Sequence, residues 1–228
     1  MLRPLIISLC FTFGSGIQAA EETAPKGINV RFFAAALNEG QGPVCVVSGK
    51  TKGASFDIPM TSLSEAQGVP SREFMLAVAA PESPDKPPVP LVSLHLPDQG
   101  TDFRILLVPA PNNSYKAVVI RGDDSKFRHG DFFFINLSSQ PILGALGSTR
   151  LDLKPGAQEL VRPFGAKSDT FFVVKFARRE GDSIVPMSDT CWPIVKDNRS
   201  YVLFYNGKNG RPAFRAVDEF MAIGAPEP

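Results

Sequence analysis

Residues 31–38 read RFFAAALN, and residues 131–138 read DFFFINLS. Each stretch is dense in aromatic, aliphatic and small apolar residues, and each ends at a polar residue typical of turns. Runs of this length and composition indicate single buried strands rather than helices. The second stretch follows the first by about 100 residues. This pair suggests that one β unit occurs twice in the chain.

Further pairs of segments repeat in the same order and at nearly the same distance. EFMLAV at 73–78 corresponds to TFFVVK at 170–175, and YKAV at 115–118 corresponds to FRAV at 214–217. The triplets DFR and DNR each precede an apolar run in the same order. A unit of about 95 residues with seven strands has the size of an immunoglobulin-like sandwich. We therefore predict an all-β protein with tandem immunoglobulin-like β-sandwich domains.

Short strand-like runs separated by turn residues fill the chain, and no stretch keeps a helical apolar period for three turns. Turns with Asn-Gly at 206–207 and 209–210 are typical of hairpins. The predicted strands of the first unit are 30–37, 44–48, 55–59, 73–79, 89–96, 103–108 and 115–121. Those of the second unit are 131–137, 142–146, 150–153, 159–161, 170–176, 184–191, 200–205 and 213–217.

The repeat also sets the domain boundaries. We predict one sandwich over 27–121 and a second over 122–222, with the junction near 122–130, and a disordered tail over 223–228. The proline-rich stretch 81–90 then forms a loop inside the first sandwich, because proline cannot pair within a central strand.

The first twenty residues predict export. Arg3 supplies a positive start, residues 5–13 form a short apolar run, and Ala19 and Ala20 offer small residues for cleavage. The apolar run is shorter than the roughly 20 residues that a spanning helix needs. We expect 1–20 to be a signal peptide, the mature protein to be periplasmic or secreted, and no transmembrane anchor.

Charge and composition narrow the classes of partner. The chain has 24 basic and 23 acidic residues, and loss of Arg3 with the signal makes the two counts equal. A neutral chain lacks the basic footprint of nucleic-acid binders, so we expect no nucleic-acid partner. With 43% hydrophobic residues, the composition is that of a globular protein rather than a disordered one.

Two cysteines remain after the signal, Cys45 and Cys191. An exported chain with an even cysteine count allows a disulfide between them. The repeat places one cysteine in each unit, which favours two buried thiols that act as small apolar residues.

The most polar segment is 121–131, at the predicted junction. Its carboxylates could bind a hard cation, and its histidine could titrate near neutral pH. Lys126 and Arg128 lie among them, and the spacing does not match an EF-hand loop. The segment is therefore either a solvated inter-domain turn or a metal or ligand site. The candidate residues are Asp123, Asp124, His129 and Asp131.

Catalytic motifs are missing from the sequence. It contains no Gly-x-Ser-x-Gly, His-Glu-x-x-His, phosphate-binding loop or Cys-x-x-Cys, and we predict no cofactor. Two distant carboxylates of a glycosidase would leave no local motif, so a hydrolase remains an alternative.

The second half of the chain resembles uncharacterised exported bacterial β-sandwich proteins. The resemblance covers roughly residues 100–220 and rests on YKAVVI at 115–120, GDFFFINLS at 130–138, LKPG at 153–156 and the final segments 199–204 and 212–218. It implies export and a β-sandwich, and no known activity.

These observations favour a non-enzymatic binding or structural module. Its expected partner is an envelope or extracellular protein or glycan. The alternatives are an envelope or polysaccharide hydrolase with unrecognised carboxylates, and a metal-binding carrier that uses the acidic junction.

Overall fold

A computed structural model describes residues 27–79, 88–166, 170–207 and 210–220. The predicted signal peptide, 1–20, and the predicted tail, 223–228, lie outside the described residues. Within those ranges the chain forms sixteen β-strands and no helix. Accordingly, the described part contains no helix suited to crossing a membrane.

The strands follow one another along the chain with short connections. The first eight are β1 (Ile28–Ala34), β2 (Val44–Ser48), β3 (Thr51–Phe56), β4 (Gln67–Val69), β5 (Glu73–Val78), β6 (Pro90–His95), β7 (Asp102–Ala110) and β8 (Ser114–Arg121). The second eight are β9 (Phe132–Asn136), β10 (Ile142–Leu146), β11 (Thr149–Leu153), β12 (Gln158–Val161), β13 (Phe171–Glu180), β14 (Ser183–Pro193), β15 (Asn198–Asn206) and β16 (Pro212–Phe220).

The two sets of eight strands build two sandwiches with the same topology. Sandwich 1 (β1–β8) pairs a sheet of order β4-β1-β7-β8 with a sheet of order β3-β2-β5-β6. Sandwich 2 (β9–β16) pairs β12-β9-β15-β16 with β11-β10-β13-β14, which is the same order shifted by eight. In both, the first strand runs parallel to the seventh. The prediction of tandem β-sandwiches is confirmed. Sandwich 1 has eight strands where seven were predicted, and sandwich 2 has the eight that were predicted.

The sheets β4-β1-β7-β8 and β12-β9-β15-β16 are here called the inner sheets, because they face each other. Their central strands are apolar on consecutive residues, as expected for strands buried on both faces. Alternate residues of β7 face the core of sandwich 1 and the other inner sheet. Thus Ile105 and Leu107 belong to the sandwich 1 core, whereas Leu106 belongs to the contact between the sandwiches.

The contact between the inner sheets is a third apolar core. It joins strands of both sandwiches and includes a tilted ring pair between Phe33 and Tyr201, with centroids 5.4 Å apart. Its buried members are Phe33, Ala35, Leu106, Ile120, Phe127, Ile135, Tyr201, Leu203 and Val217. The outer sheets therefore lie on opposite sides of a four-layer stack.

A buried charge cluster crosses the same contact. Glu219 of β16 accepts hydrogen bonds from Arg104 Nε at 2.9 Å and from Arg199 Nε at 2.9 Å. Tyr201 Oη donates to the second carboxylate oxygen at 2.7 Å, and Arg104 Nη1 donates to Asp102 at 2.6 Å. Since Arg104 belongs to sandwich 1 and Glu219 to sandwich 2, the cluster helps to fix the position of one inner sheet against the other.

The groups of this cluster shift one another's pKa values. Burial alone would raise the pKa of Glu219, but the hydrogen bonds and charges of Arg104 and Arg199 outweigh burial and lower this pKa to about 2. Burial and the Glu219 charge raise the pKa of Tyr201 well above its ordinary value. Glu219 is therefore a carboxylate, and Tyr201 a neutral donor, at every physiological pH.

Gly122 lets the chain leave sandwich 1 beside this cluster. A Cβ atom at this position would lie 2.7 Å from Arg104 Nη1 and 2.8 Å from Asp102 Oδ2. A side chain on the first residue of the junction would therefore displace the guanidinium–carboxylate pair, which occupies that space.

Three local predictions are corrected by the structure. The strand predicted at 55–59 lies earlier, as β3, because an exposed edge hairpin carries little apolar pattern. The three-residue strand β4 was not predicted at all.

Cys191, predicted to be buried, is exposed on β14, while Cys45 is buried. Both are free thiols, so no disulfide joins the sandwiches. Burial raises the pKa of the Cys45 thiol.

Candidate functional site

A pocket of about 440 Å³ opens at one end of sandwich 2, between its two sheets. This end, called the mouth, is where β9 and β15 begin and β14 and β16 end. The junction segment reaches its rim through His129, Gly130 and Asp131. The volume lies within the range of small-molecule sites, roughly 300–1,000 Å³.

The pocket interior is apolar and aromatic. Phe132 of β9, Phe172 of β13 and Trp192 of β14 line it. The Trp192 ring lies 5.5 Å from the Phe132 ring and 5.6 Å from the Phe176 ring, measured between centroids. These contacts hold the indole as a fixed, partly exposed wall, and such a wall can pack against an apolar group or a ring of a ligand.

An ion pair forms one side of the pocket. Asp131 is 2% exposed, and its two carboxylate oxygens accept hydrogen bonds from Arg162 Nε and Nη2, each at 2.7 Å. The backbone N–H of Arg128 also donates to Asp131, at 2.9 Å. This bidentate geometry is the strong form of an arginine–carboxylate pair, so Asp131 positions Arg162 at the rim.

A second polar pair lies on the inner sheet. The Ser200 hydroxyl donates to Asp218 Oδ1 at 2.6 Å, across the β15–β16 pairing. A serine nucleophile instead donates to a histidine base. The pair thus supplies a polar patch in the pocket rather than the geometry of an activated serine.

Sandwich 1 has a different row of residues at the matching place. The repeat aligns Phe32 with Phe132, and strand pairing places Ile105 beside Phe32 and Val119 beside Ile105. In sandwich 2 the same row reads Phe132, Ser200 and Asp218. Ile105 is fully buried and Val119 packs on the core. Two apolar side chains are thus replaced by short or polar ones where the pocket opens.

The four residues predicted as metal or ligand candidates do not gather into one cluster. His129 and Asp131 line the mouth pocket. Asp123 instead accepts from the Thr101 N–H at 2.7 Å and from Arg121, and Asp124 accepts from the Lys126 N–H at 3.0 Å. No group of three or more His, Cys, Asp or Glu in the described ranges is placed to hold a metal ion.

The hydrogen bonds of Asp123 affect its ionisation. Burial by itself would raise its pKa, but the Thr101 N–H and the Arg121 guanidinium lower the pKa below its ordinary value. Asp123 and Asp124 therefore stabilise the turn that leaves sandwich 1.

The chain matches no protein-family model, and it matches no curated protein sequence. The site must accordingly be interpreted from its own geometry.

Sequence reasoning found the rim residues of the junction but missed the pocket interior. Phe172, Trp192 and Ser200 come from three consecutive strands, β13, β14 and β15, but they are 8 to 28 residues apart and form no local motif. One signal was present: the row of the repeat that is apolar in the first unit has Ser200 and Asp218 in the second.

Proposed function

We propose that this protein is an exported, non-enzymatic binding module whose ligand inserts an apolar group into the mouth pocket of sandwich 2. The ligand belongs to an envelope or extracellular component, a protein or a glycan. The observation that carries the proposal is the pocket itself: an aromatic interior with the fixed Trp192 wall and a rim of paired polar groups.

The polar groups of the pocket support binding over catalysis. Asp131 has both oxygens held by Arg162, and Asp218 accepts the Ser200 hydroxyl. A general acid or base must exchange its proton with the substrate, and carboxylates engaged in this way are suited instead to orienting a ligand. Export rests on the signal-like sequence at 1–20.

A neutral fluorescent probe tests the pocket. N-phenyl-1-naphthylamine should show a saturable emission increase with one site per chain, since its rings fit an aromatic interior. Ser200→Ile introduces the residue type of sandwich 1 and should weaken binding by about tenfold or more, because the side chain fills the space. The matched control is Ser55→Ile on the exposed strand β3, which should bind like wild type.

Two results would contradict the proposal. One is the absence of saturable binding to a folded wild-type protein. The other is unchanged binding by Ser200→Ile, which would place the probe elsewhere on the molecule.

A hydrolase is the second candidate, because Asp131 and Asp218 both line the same pocket. Paired carboxylates are the machinery of glycoside hydrolysis. Aryl glycosides would be the probe: turnover by wild type that Asp218→Asn abolishes would favour this candidate over the binding module. The control is Asp189→Asn, since Asp189 is an exposed partner of Lys175 on the outer sheet.

A further inference from the structure

A second cavity adjoins the mouth pocket. It has a volume of about 350 Å³ and lies between the junction segment and β12. Its lining is mostly polar, with Lys126 and Arg128 from the junction and Arg162 after β12. Asp131 and Arg162 line both cavities, so their ion pair is the shared wall between an apolar site and a cationic one.

The charges of this second cavity do not cancel. Its lining contains three cationic side chains and one carboxylate, Asp131. Since Asp131 is paired with Arg162, Lys126 and Arg128 are two further positive charges among the lining residues; the Asp124 carboxylate beside them accepts the Lys126 backbone N–H. The Arg128 Nε donates to the Ser125 carbonyl at 2.9 Å, which orients its guanidinium along the junction. An orientated guanidinium beside an ammonium group is suited to a phosphate or carboxylate.

The chain is otherwise close to neutral, with 24 basic and 23 acidic residues. The excess at this cavity is therefore a local arrangement and not the consequence of a basic protein. The second cavity also lies beside the mouth of sandwich 2, where Ser200 and Asp218 stand in place of two apolar residues of sandwich 1.

We propose that the ligand is an amphiphilic anion. Its alkyl or aryl group enters the mouth pocket, and its phosphate or carboxylate binds Lys126, Arg128 and, at the rim, Arg162. This inference rests on the proposed function, and it adds the chemical class of the ligand. Arg162 contacts the anion at the boundary, and Asp131 is the positioning residue, because its bidentate pair fixes Arg162 between the two halves of the site.

The test compares three probes: decyl phosphate, decanol and inorganic phosphate, each below the concentration at which it aggregates. Trp192 is the single tryptophan of the chain and lines the pocket, so its emission reports occupancy, and calorimetry gives a second readout. Decyl phosphate should bind about tenfold or more tightly than decanol, and inorganic phosphate weakly, because only the amphiphile fills both cavities. Added salt should weaken decyl phosphate more than decanol.

The variant Lys126→Ala with Arg128→Ala should reduce decyl phosphate affinity to that of decanol and leave decanol unchanged. The matched control is Lys50→Ala with Lys52→Ala on the exposed β2–β3 hairpin of sandwich 1, which should bind like wild type. All four side chains are exposed, so both double variants are expected to fold.

Several outcomes would overturn the inference. Equal affinity for decyl phosphate and decanol would leave an apolar pocket without an anion site, so the proposed function would stand alone. Inorganic phosphate as tight as decyl phosphate would show a site for free phosphate. Decyl phosphate binding that the double variant does not change, or no decyl phosphate binding, also contradicts the inference. The neutral naphthylamine probe then decides separately whether the pocket binds apolar groups.

Discussion

Sandwich 1 and sandwich 2 share strand order, pairing and a parallel first and seventh strand, but they differ in the residues at the place where the pocket of sandwich 2 opens. The difference lies in a row of three paired residues across the inner sheet. Phe32, Ile105 and Val119 close the core of sandwich 1, and Ser200 and Asp218 replace the second and third of these in sandwich 2. Two copies of one topology can thus differ in how their cores are closed at the same end.

The largest expected effect comes from giving sandwich 1 the residue of sandwich 2. Ile105→Ser removes a fully buried side chain and leaves a hydroxyl in an apolar core. We expect a loss of about 4 kcal/mol in the free energy of unfolding, from the cavity and the buried hydroxyl together. Urea unfolding measures the loss. Ser200→Ile is the reverse exchange and should change stability by about 1 kcal/mol or less. Equal losses in the two would mean that Ser200 is packed as tightly as Ile105 and would contradict an open mouth.

The next effect concerns the contact that makes the two sandwiches one body. Glu219→Ala leaves Arg199 buried without its carboxylate and removes the partner that Arg104 has across the interface. We expect a loss of about 3 kcal/mol, because breaking a buried ion pair leaves an uncompensated charge. Denaturant unfolding measures it, with Asp189→Ala, at the exposed pair with Lys175 on the outer sheet, as the control. Equal effects of the two substitutions would contradict a special role for the inter-sandwich cluster.

The same carboxylate predicts how stability depends on pH. A group whose folded pKa is lowered stabilises the protein above its unfolded pKa and loses that contribution as pH falls through the folded pKa. Glu219 has an ordinary pKa of 4.5 and a folded pKa of about 2. Its share of the lost stability should be about 2 kcal/mol between about pH 4.5 and about pH 3. The free energy of unfolding of Glu219→Gln should not show this loss, so its pH profile subtracted from that of the wild type should give about the stated value. Parallel pH profiles of the two proteins would refute the prediction.

The smallest effect is a difference in thiol reactivity between Cys45 of sandwich 1 and Cys191 of sandwich 2. Cys191 is exposed on β14, whereas Cys45 is buried and burial raises its pKa. A thiol-specific disulfide reagent should modify Cys191 rapidly in the folded protein, and Cys45 only after unfolding, because only an accessible thiolate reacts. The variant Cys191→Ser should lose the rapid phase and Cys45→Ala should keep it. Absence of the rapid phase in the wild type would mean that β14 is covered and would contradict the prediction.

Much of the fold was predictable because most strands are short apolar runs bounded by turn residues. The strands at 44–48 and 142–146 were predicted with their observed bounds, since a continuous apolar run between turn residues leaves little choice. β3 and β4 were misplaced or missed because they are short or exposed edges, and their pairing comes from the neighbouring strand. The junction residues His129 and Asp131 were found as polar exceptions, but Arg162, the partner of Asp131, lies 31 residues further along.

The sequence by itself determined the all-β class, the duplication and the apolar strands, because strand propensity and repeated patterning act over a few residues at a time. Only the tertiary structure decided that the two inner sheets face each other around Glu219, and that Trp192, Ser200 and Arg162 meet at one mouth. The physical reason is that these contacts join residues of different strands and connections, and their burial exists only after the sheets have packed.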